Sequence, residues 1–348
     1  MKKSFKEIID ETFKDKESWD YYSDSDKDKN TFNDKPMLCK GNSEKFLKEF
    51  IELAGKAEKT VLFKEINKLG ERATHVVSTF FIGHYIYKNT KLKDLIDKQI
   101  ENIKPEGLKS DVSFPFVWFL TCLFHDLGYK IENFNRLKYS NFNDLLGSIE
   151  NKLPKNKNGI PKFYNQIYQN YFKYRIKKHG KNDHGIVAAH LLYDSLFKIR
   201  KLAEKNPTKS QKKLCWEEKL LDIYNFCAWN ILGHNIWFGQ KNNKCDELIY
   251  SKYKIKRLLL EKDKIKINAK KYPFFFLFCL VDTIEPYKKI LDYNSLDKVF
   301  LELNEDKIII STDLKCSCGK SILESTGKLN EWLTKTSIGN NKVEVVIN

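Results

Sequence analysis

A His-Asp pair, His125-Asp126, directly follows a nearly continuous apolar run from Phe114 to Phe124. Such a run is typical of a buried helix, so the pair is expected to lie against an apolar wall. Polar side chains in that position are costly unless hydrogen bonds, an ion pair or a metal ion compensate them. The pair therefore indicates either a metal site or a buried carboxylate paired with a lysine.

Further histidines and an aspartate share predicted core helices, or the ends of such helices, with this pair. They are His75, His184, His234 and Asp282. Asp282 interrupts an apolar run without Lys or Arg, where an ionised carboxylate costs several kcal/mol if no cation accompanies it. A hydrogen-bonded or protonated Asp282 is the alternative. With the His-Asp pair, these residues indicate a metal site built from imidazole and carboxylate ligands.

The elements that must position these residues are mostly helices. Gly128 is expected to end the helix before it in a left-handed cap, and Asn182 or Asp183 to cap the helix that His184 opens. After about residue 298 the apolar period changes from 3.6 to 2, around a helical segment near 320–333, which predicts strands. Apolar spacing predicts helices over 71–88, 114–124, 184–200, 216–232 and 273–284.

Three segments follow from this pattern. Residues 1–45 are predicted to form a polar N-terminal arm with one short helix, residues 46–297 a helical domain, and residues 298–348 a small α+β subdomain.

An insert at about 151–182 interleaves basic and aromatic residues. It would act as a lid over a site, as an RNA-contacting face, or as packing. An aromatic stripe at helical spacing favours packing. The stripe consists of Tyr164, Ile167, Tyr168, Tyr171, Phe172 and Arg175.

The order of these residues along roughly 70–290 resembles the HD-domain metal-dependent phosphohydrolase superfamily. The surroundings are similar too: Arg-x-x-His at a helix start, Phe-His-Asp-Leu-Gly-Tyr around the pair, Asp-His-Gly before a helix of small residues, and an apolar strip ending in Asp. The resemblance implies a mainly α fold, an HD-domain helical bundle. The C-terminal segment would add a small β-β-α-β appendage.

A ligand set is also implied by the resemblance. In family members with two metal ions, Asp126 would bridge the ions, and His184 and His234 match the histidines that hold the second one. Such ligands suit Mn, Fe, Co, Ni or Zn better than Mg. The number of divalent ions, one or two, and their identity stay open. The first ion would be held by His75, His125, Asp126 and Asp282.

Hydrolysis of a phosphate ester or anhydride is the activity that the resemblance implies. A metal ion lowers the pKa of water toward neutral and neutralises charge on the phosphoryl oxygens. Asp126 would be a catalytic residue, and Arg72 and Lys130 are candidates for phosphate contact. Several subfamilies place Lys three residues after the Asp of the pair, where this chain has Tyr129. A Glu-Asp pair of alarmone-hydrolysing relatives is also missing, and both departures argue against those substrates.

Charge and composition favour an anionic partner. Lys+Arg number 62 and Asp+Glu 46 among 348 residues, a formal net charge of +16. The expected partner is a phosphorylated small molecule such as a nucleotide, with nucleic acid as a further option. The alternative function is a non-catalytic module that binds nucleic acid or a nucleotide on an HD-type fold. Within the enzyme class, a phosphodiesterase or nuclease stays open, because substrate choice depends on loops.

The cellular compartment is predicted from what the sequence lacks. The scattered cysteines suggest no disulfide framework. The basic start from Met1 to Glu7 has no apolar signal segment after it, and no apolar run approaches about 18 residues. The expectation is a cytoplasmic protein with no membrane partner; its oligomeric state is not predicted.

Overall fold

A computed structural model of the chain describes residues 2–19, 43–48, 56–108, 112–132, 136–205, 218–241, 243–261, 267–286, 296–312, 317–329, 332–333, 335–338 and 342–347. These residues form a mainly helical structure with a small antiparallel sheet. Among them, no helix has the length and apolar character needed to cross a membrane.

The helices agree closely with the periodicity of the sequence. The predicted segments 71–88, 114–124 and 273–284 are α-helices with nearly the same bounds, and the segment predicted over 184–200 extends further. The segment predicted from 216 begins at 221 as an α-helix, and residues 216 and 217 lie outside the described residues. The helices are α1 (Phe5–Lys14), α2 (Lys16–Trp19), α3 (43–48), α4 (Lys56–Leu69), α5 (Arg72–Lys88), α6 (Leu92–Ile103), α7 (Phe114–Phe124), α8 (Tyr129–Glu132), α9 (Phe142–Gly147), α10 (Tyr164–His179), α11 (His184–Lys205), α12 (Leu221–His234), α13 (Lys244–Lys252), α14 (Pro273–Ile284) and α15 (Ser317–Leu329), with 3₁₀ turns at Glu218–Leu220 and Lys256–Leu258.

Four helices, α5, α7, α12 and α14, pack against one another in the core. They are buried on nearly all faces, as expected of helices that are apolar all round. Helices α7 and α14 each begin with a proline in the first turn, where the missing N–H costs no helical hydrogen bond. The Trp118 indole N–H donates to the Phe80 carbonyl oxygen at 3.0 Å and ties α7 to α5. This core carries most of the candidate site residues.

Helix α10 forms about half of the insert. Tyr164, Ile167, Tyr171 and Phe172 are buried, which confirms the packing interpretation of the aromatic stripe. Gly180 ends the helix with φ of 64°, in the left-handed region that glycine adopts without strain. The insert is therefore a packed part of the bundle.

The strands are β1 (Lys2–Ser4), β2 (Gly239–Gln240), β3 (Leu259–Leu260), β4 (Val299–Asn304), β5 (Lys307–Thr312), β6 (Lys335–Ile338) and β7 (Lys342–Val346). The C-terminal strands belong to a five-stranded antiparallel sheet of order β1-β4-β5-β7-β6. Helix α15 contacts both this sheet and α14, so the sheet is joined to the core. A separate parallel pair links β2 to β3.

The predicted β-β-α-β order is incomplete, because the sheet also contains β1 and β6. Strand β1 has three residues and β6 has four, two of which are Thr and Ser. Segments this short carry too few alternations to show a period of 2. Both strands lie at the edges of the sheet, and each pairs with a single neighbour. This pairing, and not a local sequence pattern, makes these segments strands.

Residues 2–19, within the predicted polar arm, pack against the rest of the protein. Ser4, the last residue of β1, caps α1 in a capping box with Glu7, and Phe5, Ile8 and Ile9 are buried. Helix α1 contacts α5. Residues 20–42 lie outside the described residues. No finding defines domain boundaries, so the divisions at 45 and 297 stay predictions.

Candidate metal centre

The histidines and aspartates singled out in the sequence converge at one place in the core. They are contributed by five helices or their ends: α5, the C-terminal end of α7, the start of α11, the end of α12 and α14. All six side chains are buried. The six residues are His75, His125, Asp126, His184, His234 and Asp282.

One part of the cluster, here called the His75 half, consists of His75, His125 and Asp282. The Nε2 atoms of His75 and His125 lie 3.1 Å apart. Asp282 Oδ1 lies 3.1 Å from His75 Nε2 and 3.4 Å from His125 Nε2. Two imidazole nitrogens and a carboxylate oxygen therefore point at a common centre.

The other part, the His184 half, consists of His184 and His234. Their Nε2 atoms lie 3.2 Å apart. The His234 ring centroid lies 5.8 Å from that of His125, so the two halves are neighbours.

Asp126 stands between the halves. Its Oδ2 lies 3.8 Å from His75 Nε2, and its Oδ1 lies 3.8 Å from His125 Nε2 and 3.9 Å from His184 Nε2. A carboxylate in this position reaches both halves, as the bridging role expected of it requires.

Each of the four imidazoles is held through its other nitrogen, Nδ1. The partner of His75 Nδ1 is the Glu285 carboxylate at 2.6 Å, and the partner of His184 Nδ1 is the Glu132 carboxylate. His125 and His234 donate from Nδ1 to backbone carbonyl oxygens, of Cys122 at 2.7 Å and of Ile231 at 2.5 Å. Because these partners are acceptors, Nδ1 carries the proton and Nε2 is left as the donor atom for a metal ion.

Two supporting carboxylates, Glu285 and Glu132, are absent from the sequence-based prediction. Glu285 lies three residues after Asp282, one helical turn away, and that spacing is a signal that identifies it. Its Oε1 accepts from the Ser78 hydroxyl at 2.6 Å. Glu132 lies 52 residues from His184 in the chain, so only the fold brings the two together.

The carboxylates around His75 and His184 raise the pKa values of both imidazoles. Burial opposes the charged imidazolium of His75, but Glu285, Asp282 and Asp126 outweigh burial and raise its pKa to about 9. Burial likewise opposes charge on His184, whose pKa is nonetheless raised by Glu132.

The pKa values of Glu132 and Asp183, two buried carboxylates near Arg175, shift in opposite directions. Burial favours neutral Glu132, yet the hydrogen bond and charge of His184 and the charge of Arg175 lower its pKa to about 2. Burial raises the pKa of Asp183 to about 6.

Arg72 is placed beside the cluster, as expected. One guanidinium nitrogen lies 3.4 Å from Asp126 Oδ2, and the guanidinium carbon lies 3.5 Å from the centroid of the Tyr129 ring. Tyr129, which stands where several subfamilies have Lys, therefore stacks on this arginine. Lys130 is exposed on α8, with the end of its side chain beside Gly70, and among the described residues it makes no hydrogen bond or ion pair with the cluster.

The left-handed cap predicted at Gly128 is wrong: the φ of this glycine lies outside the left-handed region. A tertiary contact explains the glycine, because a Cβ there would lie 2.3 Å from the carbonyl oxygen of His184. The predicted cap of α11 is confirmed at Asp183, whose Oδ1 accepts from the Ile186 N–H at 2.9 Å.

The remaining histidines lie outside the cluster. His84 is buried between the Phe80 and Phe114 rings, and burial lowers its pKa to about 3. His190 is also buried, beside Phe142. His179 is exposed at the end of α10.

The donor set fits a divalent ion. His75, His125 and Asp126 each place a ligand atom within 4.8 Å of the others, so this buried group could hold a metal ion. The formal charges agree, because five buried carboxylates surround the centre and, in the described part of the chain, two arginines, Arg72 and Arg175, pair with them. A surplus of negative charge in the interior calls for cations. The carboxylates are Asp126, Glu132, Asp183, Asp282 and Glu285.

Comparison of the chain with protein-family models, with curated proteins and with solved structures finds no match.

Proposed function

We propose that this protein is a metal-dependent phosphohydrolase of the HD type, acting on a phosphate ester or anhydride of a nucleotide or a related compound. One observation carries the proposal: three imidazole Nε2 atoms lie within 3.9 Å of Asp126 oxygens, the Nε2 of His234 lies 3.2 Å from one of the three, and an oxygen acceptor holds each Nδ1. Four prepared donor atoms in a core would be expensive to bury for packing alone. The His-Asp order along the chain supports the same class.

His75, His125 and Asp282 would hold one divalent ion, and His184 and His234 a second, with Asp126 shared between them. When bound, such ions would lower the pKa of a nucleophilic water toward neutral and neutralise charge on the phosphoryl oxygens. The ligands suit Mn, Fe, Co, Ni or Zn, which is a proposal about metal class and not about one element.

Among the residues that the structure describes, Arg72 is well placed to bind the substrate phosphate. Its guanidinium is held between Asp126 and the Tyr129 ring, which restricts its orientation. A planar guanidinium forms paired hydrogen bonds with phosphate oxygens, and an oriented one loses less entropy on binding. Lys130, exposed nearby, would approach the phosphate from the solvent side.

The net charge of +16 supports an anionic substrate. Monoester, diester and triphosphate substrates share the same metal chemistry, so a cyclic nucleotide, RNA or single-stranded DNA stays within the proposal.

Metal content tests the proposal directly. The wild type and a His125→Ala/Asp126→Ala variant would be chelated briefly, resupplied with Mn²⁺, Co²⁺, Ni²⁺ or Zn²⁺, and measured by elemental analysis. His179→Ala, which removes an exposed imidazole, is the matched control. We expect about one to two ions per chain in the wild type and control only, together with metal-dependent phosphate release from a panel of nucleotides.

A folded wild type that takes up no metal would overturn the proposal. Nucleotide or nucleic-acid binding without turnover, unchanged in the double variant, would instead establish the non-catalytic binding module.

A further inference from the structure

Helix α10 of the insert contacts the supports of the His184 half at two points. Arg175 and Tyr171 lie four residues apart, on the same face of the helix. One contact leads to His184 and the other to the chain that follows His234.

The first contact is an ion pair. Arg175 donates to Glu132 Oε1, and the other oxygen of the same carboxylate accepts from His184 Nδ1. Arg175 Nε also lies 3.5 Å from Asp183 Oδ2, in the residue that caps the helix opened by His184. The guanidinium thus fixes a carboxylate that fixes the imidazole.

The second contact is made by Tyr171. Its hydroxyl donates to the Asn235 carbonyl oxygen at 3.1 Å and accepts from the Trp237 N–H at 3.3 Å. Asn235 directly follows His234, and its side-chain amide donates to Asp183 Oδ2 at 2.8 Å. Helix α10 therefore secures the backbone at the end of α12.

The His75 half takes its supports from elsewhere. Glu285, at the end of α14, holds His75 and is itself held by the Ser78 hydroxyl of α5, and the Cys122 carbonyl of α7 holds His125. These elements belong to the apolar core. The two halves thus depend on different parts of the chain, although they share Asp126.

We propose that α10 positions the His184 half, and that Arg175 is a positioning residue which sets the affinity for the second metal ion through Glu132. This inference rests on the proposed function. Supports that orient an imidazole ligand change metal affinity by about 10–100-fold. Loss of Arg175 would weaken the second ion by that factor and leave the first unchanged.

Titration of the metal-free protein with Mn²⁺ or Co²⁺, followed calorimetrically and by the visible spectrum of Co²⁺, separates the two binding events. The variants are Arg175→Met, which removes the guanidinium, and Arg175→Lys, which keeps a cation for Glu132. Lys178→Met, an exposed charge on the same helix, is the matched control. We expect two ions in the wild type and control, a second ion about 10–100-fold weaker in Arg175→Met, and partial recovery in Arg175→Lys.

Circular dichroism of the metal-free variants checks that each is folded. Should Arg175→Met fail to fold, Glu132→Gln replaces it, because the amide oxygen still accepts from His184 while the ion pair is lost; the same selective weakening is expected.

Several results would overturn the inference while the proposed function stands: a second ion bound equally tightly in the folded Arg175→Met or Glu132→Gln variant, equal weakening of both ions, or a wild type that binds a single ion. Absence of any ion from the folded wild type would instead remove the proposed function itself.

Discussion

Replacement of Gly128 by alanine tests whether the close approach of its backbone to that of His184 sets the position of His184. A Cβ at residue 128 would lie 2.3 Å from the His184 carbonyl oxygen and 2.9 Å from its Cα. The shortest ordinary carbon–oxygen contacts are about 3.3 Å, so the backbones must separate by about 1 Å. The start of α11 would then move away from Asp126, and the imidazole of His184 would move with it.

This displacement should lower both the free energy of unfolding and the turnover. Overpacking of a tight contact lowers the free energy of unfolding by about 1–3 kcal/mol. A misplacement of about 1 Å in a reacting centre lowers turnover by about 100-fold. The His75 half does not contain this contact, so its ion should stay bound while the second ion is weakened.

Gly147→Ala is the matched control, because a Cβ at that position meets no atom within 4 Å. Denaturant unfolding in chelator measures the stability of both variants, and metal titration and phosphate release measure the centre. If Gly128→Ala kept wild-type stability and bound both ions with wild-type affinity, the close approach would not be what positions His184.

Three further predictions concern single side chains. Asp126→Ala should lose both ions and all phosphate release while circular dichroism stays helical, because a buried negative charge leaves with the ligand; full turnover would show that the assigned centre is wrong. Burial lowers the pKa of His190 to about 4, below the ordinary value of about 6.5, so its contribution to stability is present above pH 6.5 and lost as the pH falls toward 4. That loss is about 2 kcal/mol by pH 5, and His190→Phe should remove it from the difference in unfolding free energy between pH 7 and pH 5; an equal loss in both proteins would contradict the assignment. Ser4→Ala should lower the free energy of unfolding by about 1 kcal/mol through loss of the α1 cap. Ser325→Ala, at a half-buried serine inside α15 that caps no helix, is the control, and equal stability of the two variants would show that the cap does not stabilise the fold.

The sequence was most informative where apolar runs are interrupted. Asp282 stands in a run that fills α14, and His125-Asp126 ends the run that fills α7. A polar group in such a run must find a buried partner, so its mere presence indicates a site. The sequence predicted which residues form the site as a group, but not which of them lie next to each other. Periodicity places a residue on a helix and does not say which helices meet.

Tertiary contacts account for what the sequence did not predict. Gly128 looks like a helix terminator in sequence, yet its role is to admit the backbone of His184. Glu132 and Arg175 look like ordinary surface charges until the fold sets them against each other. Strand β1 is paired to β4, almost three hundred residues away in the chain, and three residues carry no local signal of that pairing.

The surplus of negative charge from the buried carboxylates explains how the same residues could be stable in the core both with and without metal ions. Without ions, the pKa of His75 is raised to about 9 by the carboxylates around it, so a proton supplies positive charge there, and the pKa of His184 is raised by Glu132. The Nδ1 protons are engaged by Glu285 and Glu132, so any additional proton on these rings must sit on Nε2. These are the atoms that a cation would use, so cation and proton compete for the same positions. The carboxylates that hold the imidazoles in place would therefore also let the core tolerate an exchange of protons for metal ions.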